Sequence, residues 1–325
     1  NKNVIAKIYQ GHTKASTIFF DIDNKSELIS PNKGLLDIKL KIDGDLTNTN
    51  LNYFVEFNNQ IILKNSINLT SNEVLIKQEL NGIYPWSSEC PHLYKVIFTL
   101  TKGETEIEKA ILNVGFRKLS IENGVLLLNG KRLILKGVNR HEFDSKVGRA
   151  ITKEIIESDI KFLKAHNFNA LRTSHYPNDE RFLDLCDERG ILVWEENHAR
   201  GLSLEDMQNP NFEPQAENVI REMIMAHYNH PSIYIWGILN ECASETEYGK
   251  ECYEKQFDLI RSMDQTRPCS FASCKFKTDI CFGLPDVVSY NIYPHWYHDT
   301  PIKEYLEDIG NETVTKIVNK AALKK

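Results

Sequence analysis

A chain of 325 residues that is 41% hydrophobic and 26% charged has room for about two domains and the composition of a soluble globular protein. Its formal charge of -6 gives no basic footprint for nucleic acid, and no apolar run reaches the roughly 18 residues of a membrane span, so neither partner is expected. Seven scattered cysteines without a C-x-x-C pair read as reduced thiols, which favours a cytoplasmic location, although a chain that does not begin with Met leaves room for an upstream signal peptide.

Residues 1–118 read in short β-rich pieces: "IAKIYQ", "STIFFDID", "LLDIKLKID", "NYFVEFNNQIIL", "VLIKQEL" and "LYKVIFTL". Asn, Asp, Gly, Ser and Pro separate them, at the spacing of an antiparallel sandwich. "LDIKLKI" alternates apolar and polar residues, so its sheet has one wet face. No cluster of catalytic residue types lies here.

From residue 119 to 325 apolar strands alternate with segments of helical period. "RLILKGVNRHE" precedes a helix marked by Ile155, Ile156, Ile160, Phe162 and Leu163, with Thr152 as its N-cap. "FNALRTSHYP" precedes a second helix, capped by Asn178 and ended by Gly190. "ILVWEEN", "SIYIWGILNE", "PCSFASCKF" and "DVVSYNIYP" supply four further strands. Six β units, five followed by helices, imply a parallel α/β arrangement. An open nucleotide-binding sheet does not fit, because no glycine-rich phosphate loop follows any strand. Polar residues instead gather at the strand ends, where a (β/α)8 barrel builds its active site. About two β/α units of such a barrel are missing.

Glu241 ends the most apolar strand and is the first candidate, as a general acid. The bland alternative is a helix-start or surface carboxylate. "RTSHYP" offers Arg172, suited to a carboxylate or anionic group, and His175, suited to a hydroxyl; a structural Arg–acid pair over a packed His is the competing reading. "VNRHE" offers Asn139, His141 and Glu142, and "WEENHARG" offers Glu195, Glu196, His198 and Arg200. No metal-ligand spacing such as H-E-x-x-H occurs, so no metal is required, while carboxylates at a barrel mouth attract Mg²⁺ without depending on it. Structural ion pairing is the stronger reading of Glu195. Asn291 sits at another strand end, and Tyr293 is placed to hydrogen-bond a second carboxylate, with Trp296 and Tyr297 either as sugar-stacking rings or, the commoner case for such a cluster, as core or loop packing. Trp236 reads chiefly as packing beside Glu241.

"NALRTSHYPNDERFLDLCDERGILVW" and "NHPSIYIWGILNE" resemble, in this order, the two long motifs of glycoside hydrolase family 2, which contains β-galactosidases and β-glucuronidases. "ENGVLLLNGKRLILKGVNRHE" is similar as well, and "YPWSSECPHLY" with "VGFRKL" looks like the end of that family's immunoglobulin-like domain. The resemblance implies an immunoglobulin-like β-sandwich over 1–118 and the N-terminal part of a TIM-barrel catalytic domain over 119–325. It further implies retaining hydrolysis of terminal β-galactosides or β-glucuronides, with a carbohydrate as the partner and a homo-oligomer as the assembly. Glu241 takes the place of the acid/base, Asn240 that of the 2-hydroxyl ligand, and His141 and His175 those of sugar-contacting histidines. Arg172 matches the arginine near the nucleophile, Tyr293 the tyrosine that bonds it, and Asn291 a substrate contact.

In this family the nucleophilic Glu ends the seventh strand in a stretch like I-x-E-[YF]-G. No such stretch occurs, and Glu304, Glu307 and Glu312 lie in polar helical surroundings. The expectation is therefore a fragment of a longer enzyme, inactive alone. Two rival readings are a non-catalytic carbohydrate-binding or scaffold protein with a degenerate barrel, and a piece that folds only within a complex.

Overall fold

In a computed structural model of the chain the described residues are 19–307, except 45, 276, 294–298, 300, 302 and 305. The expected strand "IAKIYQ", the rings of Trp296 and Tyr297, and Glu312 lie outside them.

Alternation of burial, clearest in the strands Lys33–Asp43 and Thr49–Phe57, builds the first half. Strands β1 (Phe19–Asn24), β2 (Glu27–Ser30), β3 (Lys33–Asp43) and β6 (Glu73–Asn81) form one antiparallel sheet, with β3 paired to the other three. A second antiparallel sheet runs β5 (Gln60–Asn68), β4 (Thr49–Phe57), β7 (Tyr94–Lys102), β8 (Thr105–Val114). Leu36, Ile38, Leu40 and Ile42 of β3 meet Leu51 and Val55 of β4 and Val96, Phe98 and Leu100 of β7 in one core, all fully buried. Leu35, Asp37, Lys39, Lys41 and Asp43, on the opposite face of β3, are half-buried or exposed, so the wet face read from "LDIKLKI" is there. "NYFVEFNNQIIL", expected as one piece, folds back on itself. Asn58 and Asn59, at φ 50° and 62°, make the two-residue left-handed turn that a tight hairpin requires. The strand Thr105–Val114 has no counterpart in the sequence reading, because its charged residues masked the period.

A small meander follows: β9 (Leu119–Glu122), β10 (Val125–Leu128) and β11 (Lys131–Arg132). Leu128, with the partly buried Leu119, Leu126 and Leu133, packs against Ala170, Leu192, Trp194 and Tyr234 of the next sheet and against Trp86 of the sandwich.

That next sheet is parallel, with six strands in sequence order: β12 (Gly137–Asn139), β13 (Ala170–Arg172), β14 (Leu192–Glu196), β15 (Ile233–Ile238), β16 (Cys269–Ser273) and β17 (Val287–Tyr290). Helices α1 (Lys153–Ala165), α2 (Glu180–Arg189), α3 (Leu204–Met207), α4 (Phe212–His227) and α5 (Glu247–Met263) fill the crossovers between β12 and β16. Every residue of β14, β15 and β16 is buried, as it must be when helices cover one face and a packed interior the other. The chain is a β-sandwich followed by an incomplete (β/α)8 barrel, of which six strands are described.

The local expectations at the helix ends hold in part: Thr152 is the N-cap of α1 and Gly190 ends α2, but one cap moves. The N-cap of α2 is Asp179, whose carboxylate accepts from the Arg181 N–H at 2.9 Å, and not Asn178, whose side-chain oxygen accepts from Arg140 at 2.9 Å. Gly190 does end α2, at φ 68°, and a side chain there would strike the Ser88 carbonyl. Thr152 stands at the start of α1 without a side-chain cap bond. On α1, Ile156, Ile160 and Leu163 are buried, whereas Phe162 is 59% exposed and stacks on His166.

Sandwich and barrel are joined through the turn before β15. Buried Arg117 donates to the carbonyls of Pro231 (2.5 Å) and Ile233 (2.7 Å), and the Trp86 indole donates to the Asp187 carbonyl at 2.9 Å.

Candidate active site at the carboxyl ends of the barrel strands

The apolar run of β15 ends in a twisted segment. Leu239 and Glu241 both sit at positive φ, 38° and 55°, a conformation that costs a non-glycine residue about 1–3 kcal/mol and persists only where neighbours enforce it. Three main-chain bonds do so. The Asn240 N–H donates to the Ala199 carbonyl (2.9 Å), the Gly201 N–H to the Asn240 carbonyl (2.7 Å), and the Glu241 N–H to the Ala272 carbonyl (2.9 Å). The loop after β14 and the strand β16 thus hold the β15 terminus between them.

One polar network collects the side chains there. Glu241 Oε1 accepts from Asn291 Nδ2 at 2.6 Å and from the Tyr293 hydroxyl at 3.2 Å. Asn240 Oδ1 accepts from Asn291 Nδ2 and from Arg172, both at 2.8 Å. Arg172, from the end of β13, grips the buried carboxylate of Glu196 with two donors, at 2.7 and 3.2 Å, and reaches Asn291 Oδ1 at 3.3 Å. Its guanidinium lies 5.0 Å from the Trp194 ring. His175 Nδ1 meets the same Glu196 carboxylate at 2.5 Å, and the Ser174–His175 peptide is cis. His141 faces His175 edge to face, ring centres 5.7 Å apart. Partial burial pulls the His141 imidazolium below the usual histidine value, and the charges of His175, Arg200 and Arg149 push the same way, against Glu196. His141 is therefore neutral near pH 7, fit to donate to or accept from a hydroxyl.

The seven residues that the resemblance matches to family positions meet at this mouth: Glu241, Asn240, Asn291, Tyr293, Arg172 and His175 through hydrogen bonds, and His141 through its ring contact. Tyr293 reaches Glu241 here and not a second carboxylate. Trp236 is indeed packing, but it faces away. It belongs to the core shared with α4 and α5, and its indole donates to Asp264 at 2.8 Å. Glu195 also turns outward, to His227 (2.8 Å) and the Asn178 N–H (3.3 Å). Glu142 is tied to Arg140 and the Asp179 N–H, and burial raises its carboxyl despite the Arg140 charge.

The residue under-read in the sequence is Glu196, the hub of Arg172 and His175. Successive strand residues face opposite ways, so Glu195 and Glu196 could not both point inward, and the composition alone does not say which does. The signal available was Arg172 itself, a buried cation that needs a carboxylate. Among the described residues one trio has metal-ligand geometry, Asp184, Asp187 and His230, with its ligand atoms within 4.8 Å of one another. It lies on α2 and the turn before β15, away from the mouth, and Asp187 and His230 are engaged with each other at 2.6 Å.

An acidic group held by an amide and a phenol thus stands beside a buried Arg–carboxylate hub at the carboxyl ends of the barrel strands, where (β/α)8 enzymes carry their active sites. Residues 14–117 match Glycosyl hydrolases family 2, and residues 119–321 match Glycosyl hydrolases family 2, TIM barrel domain; the chain belongs to this family. A β-galactosidase of Streptococcus thermophilus is 36% identical over 251 residues, covering 73% of this chain and 24% of that enzyme. A crystal structure of a GH2 β-galacturonidase from Eisenbergiella tayi, bound to galacturonate, superposes with a TM-score of 0.73 at 45% identity, over 90% of this chain and 52% of that one. A β-glucuronidase of Parabacteroides merdae with glycerol in its active site gives a TM-score of 0.82 at 26% identity, over 92% and 38%. The chain thus spans about a quarter of the curated β-galactosidase and about half of the β-galacturonidase.

Proposed function

We propose that the protein carrying this chain hydrolyses terminal β-glycosidic bonds with retention of configuration, Glu241 acting as the proton donor. The observation that carries this reading is the setting of Glu241: its Oε1 is fixed by Asn291 and Tyr293 next to Asn240, on a strand terminus braced from both sides. The Glu241 carboxyl protonates the leaving oxygen and then, as a carboxylate, takes a proton from water. Asn240 is assigned to the sugar 2-hydroxyl, and His141 and His175 to further hydroxyls. Arg172 and Glu196 neutralise one another and act as the rigid post on which Asn240, Asn291 and His175 are aligned.

Retention requires a second carboxylate roughly 5 Å from the first. Glu196 is already committed to Arg172 and His175, so the nucleophile is assigned to a residue outside the described ones. A metal is not part of the scheme, because the Glu196 charge is matched by Arg172; chelation should leave turnover unchanged. The relatives' activities set the substrates to try first: β-galactosides, β-glucuronides and, from the relative with 45% identity, β-galacturonides.

The test is turnover of the corresponding p-nitrophenyl and methyl glycosides by the native protein and by Glu241→Gln. Loss of the methyl glycosides, with better survival of activated substrates and rescue by azide, is the expected result. Equal retention on both kinds of leaving group would remove Glu241 from the role.

A further inference from the structure

Three guanidinium groups stand at this mouth, and only one of them is neutralised. Arg172 is matched by Glu196. Arg149 lies 4.4 Å from the Tyr176 ring, and Tyr176 in turn sits 6.3 Å from His141 and accepts from the Glu142 N–H at 2.8 Å. Arg200 occupies the turn after β14 and is exposed. Among the described residues neither Arg149 nor Arg200 makes an ion pair.

Arg200 is the better placed of the two. It forms a parallel β-bridge with Asn240, and the flanking bonds, Asn240 N–H to the Ala199 carbonyl and Gly201 N–H to the Asn240 carbonyl, fix its backbone beside the residue that precedes the acid. Bridge partners project to the same face of a sheet. The Asn240 side chain lies in the mouth network, so the Arg200 side chain leaves on that side too. Its charge reaches His141 across the opening and helps to keep that ring neutral. A neutral sugar offers such a cation hydroxyl acceptors but no counter-charge. A planar guanidinium carried on a fixed stretch of backbone beside the candidate sugar-binding groups matches a carboxylate, which it binds through two parallel N–H bonds.

We propose that Arg200 binds the carboxylate of a uronic acid at the non-reducing end, so that the site takes terminal β-linked uronides in preference to neutral glycosides. This rests on the glycosidase reading of the same mouth and sharpens it to a substrate class. Arg149 adds to the local field without touching the carboxylate, its guanidinium being held over Tyr176.

The experiment compares p-nitrophenyl β-galacturonide, its methyl ester and p-nitrophenyl β-galactoside as substrates of the native protein, Arg200→Gln, Arg200→Lys and Arg149→Gln. The native protein should favour the free acid over its ester by about 10- to 100-fold in kcat/KM, the range for a charged hydrogen bond. Arg200→Gln should bring that ratio close to one, Arg200→Lys should keep part of it, and Arg149→Gln should change it little. An acid-to-ester ratio that Arg200→Gln leaves intact, or an equal fall on all three substrates, overturns the assignment and makes Arg200 a structural residue. Calorimetric titration with free galacturonate and galactose separates the two readings. If no glycoside is turned over but galacturonate binds and Arg200→Gln weakens it at least tenfold, the glycosidase reading falls and the carboxylate site stands. Binding indifferent to Arg200 overturns the site itself.

Discussion

The two ends of β15 are built from the same residue types and put to different uses. At the N-terminal end Arg117 and Arg267 both donate to the Ile233 carbonyl, at 2.7 and 2.9 Å. Arg267 also holds the Tyr228 and His230 carbonyls and the Asp264 carboxylate, while Asp187 takes His230 and the Ser232 N–H. Burial, and then the Arg267 charge beside it, pull the Arg117 guanidinium down to about 9. At the C-terminal end the cations are matched only in part. Both bonds to Glu241 fall on Oε1, and Tyr293 and Arg200 remain open to solvent. A buried charge left unsatisfied costs several kcal/mol, so the joint to the sandwich spends its polar groups on the chain itself. The mouth holds its polar groups in place and leaves some of their bonding capacity to a substrate.

The sharpest way to break this comparison is Glu241→Gln. Turnover of a methyl glycoside should fall by about 10²- to 10⁴-fold with an unchanged melting temperature, since the amide keeps the bonds to Asn291 and Tyr293 within reach. A large drop in stability would mean that Glu241 belongs to the structure as much as to the chemistry. Next in size is Arg117→Met, which strips two buried carbonyls of a donor while Ile233 keeps Arg267. Urea denaturation should show a loss of about 2–4 kcal/mol, with kcat and KM of the folded protein unaltered. A fall in kcat at constant stability would show instead that the sandwich joint tunes the mouth through β15.

How much of this was legible in the sequence follows the same division. The mouth could be read because its residues end strands: an apolar run such as "SIYIWGI" announces a two-sided buried strand, and the polar residue that stops it has to face the barrel end. Asn240, Glu241, Arg172 and His175 were found in that way, before any partner was known. What failed depended on which side a residue faces or where a chain reverses. Glu195 and Glu196 are neighbours with opposite directions, and only the Arg172 contact separates them. Asn178 and Asp179 are both good caps, and the choice fell to Asp179 because the Asn178 side chain is engaged by Arg140. Asn58–Asn59 falls within a single expected strand, although a polar pair that tolerates the left-handed conformation between two apolar runs is itself a hairpin signal. The joint was invisible: Arg117 lies 114 residues before Pro231, and nothing local links them.

His230 tests the joint by pH. Burial alone would lower its imidazolium, but the Asp187 carboxylate at 2.6 Å, with Asp184 and Glu195 beyond it, lifts it to about 9 from an ordinary value near 6.5. A folded-state value above the unfolded one means that the folded protein binds the proton more tightly. The stabilisation is complete below pH 6.5 and is lost as pH rises from there through about 9. His230→Gln should lower stability by about 2 kcal/mol at pH 6 and flatten its decline towards pH 9. Glycosidase pH profiles of the native and variant proteins should coincide, because Asp187 and His230 do not touch the mouth.

The smallest effect locates the border between the two ends. Trp236 lies within β15, fully buried, with its indole donating to Asp264 Oδ2, a carboxylate oxygen that also accepts from Arg267. Trp236→Phe removes that donor and part of the ring's volume from the core shared with α4 and α5. Asp264 retains Arg267 and the two Thr266 bonds, so the carboxylate stays paired and the cost should be about 1–2 kcal/mol in chemical denaturation. Because Trp236 faces the helices and Asn240 and Glu241 are braced by main-chain bonds to Ala199, Gly201 and Ala272, kcat/KM should be the same as in the native protein. A kcat/KM that fell with the lost indole would place Trp236 on the mouth's side of the border, with the strand transmitting packing changes to its terminus.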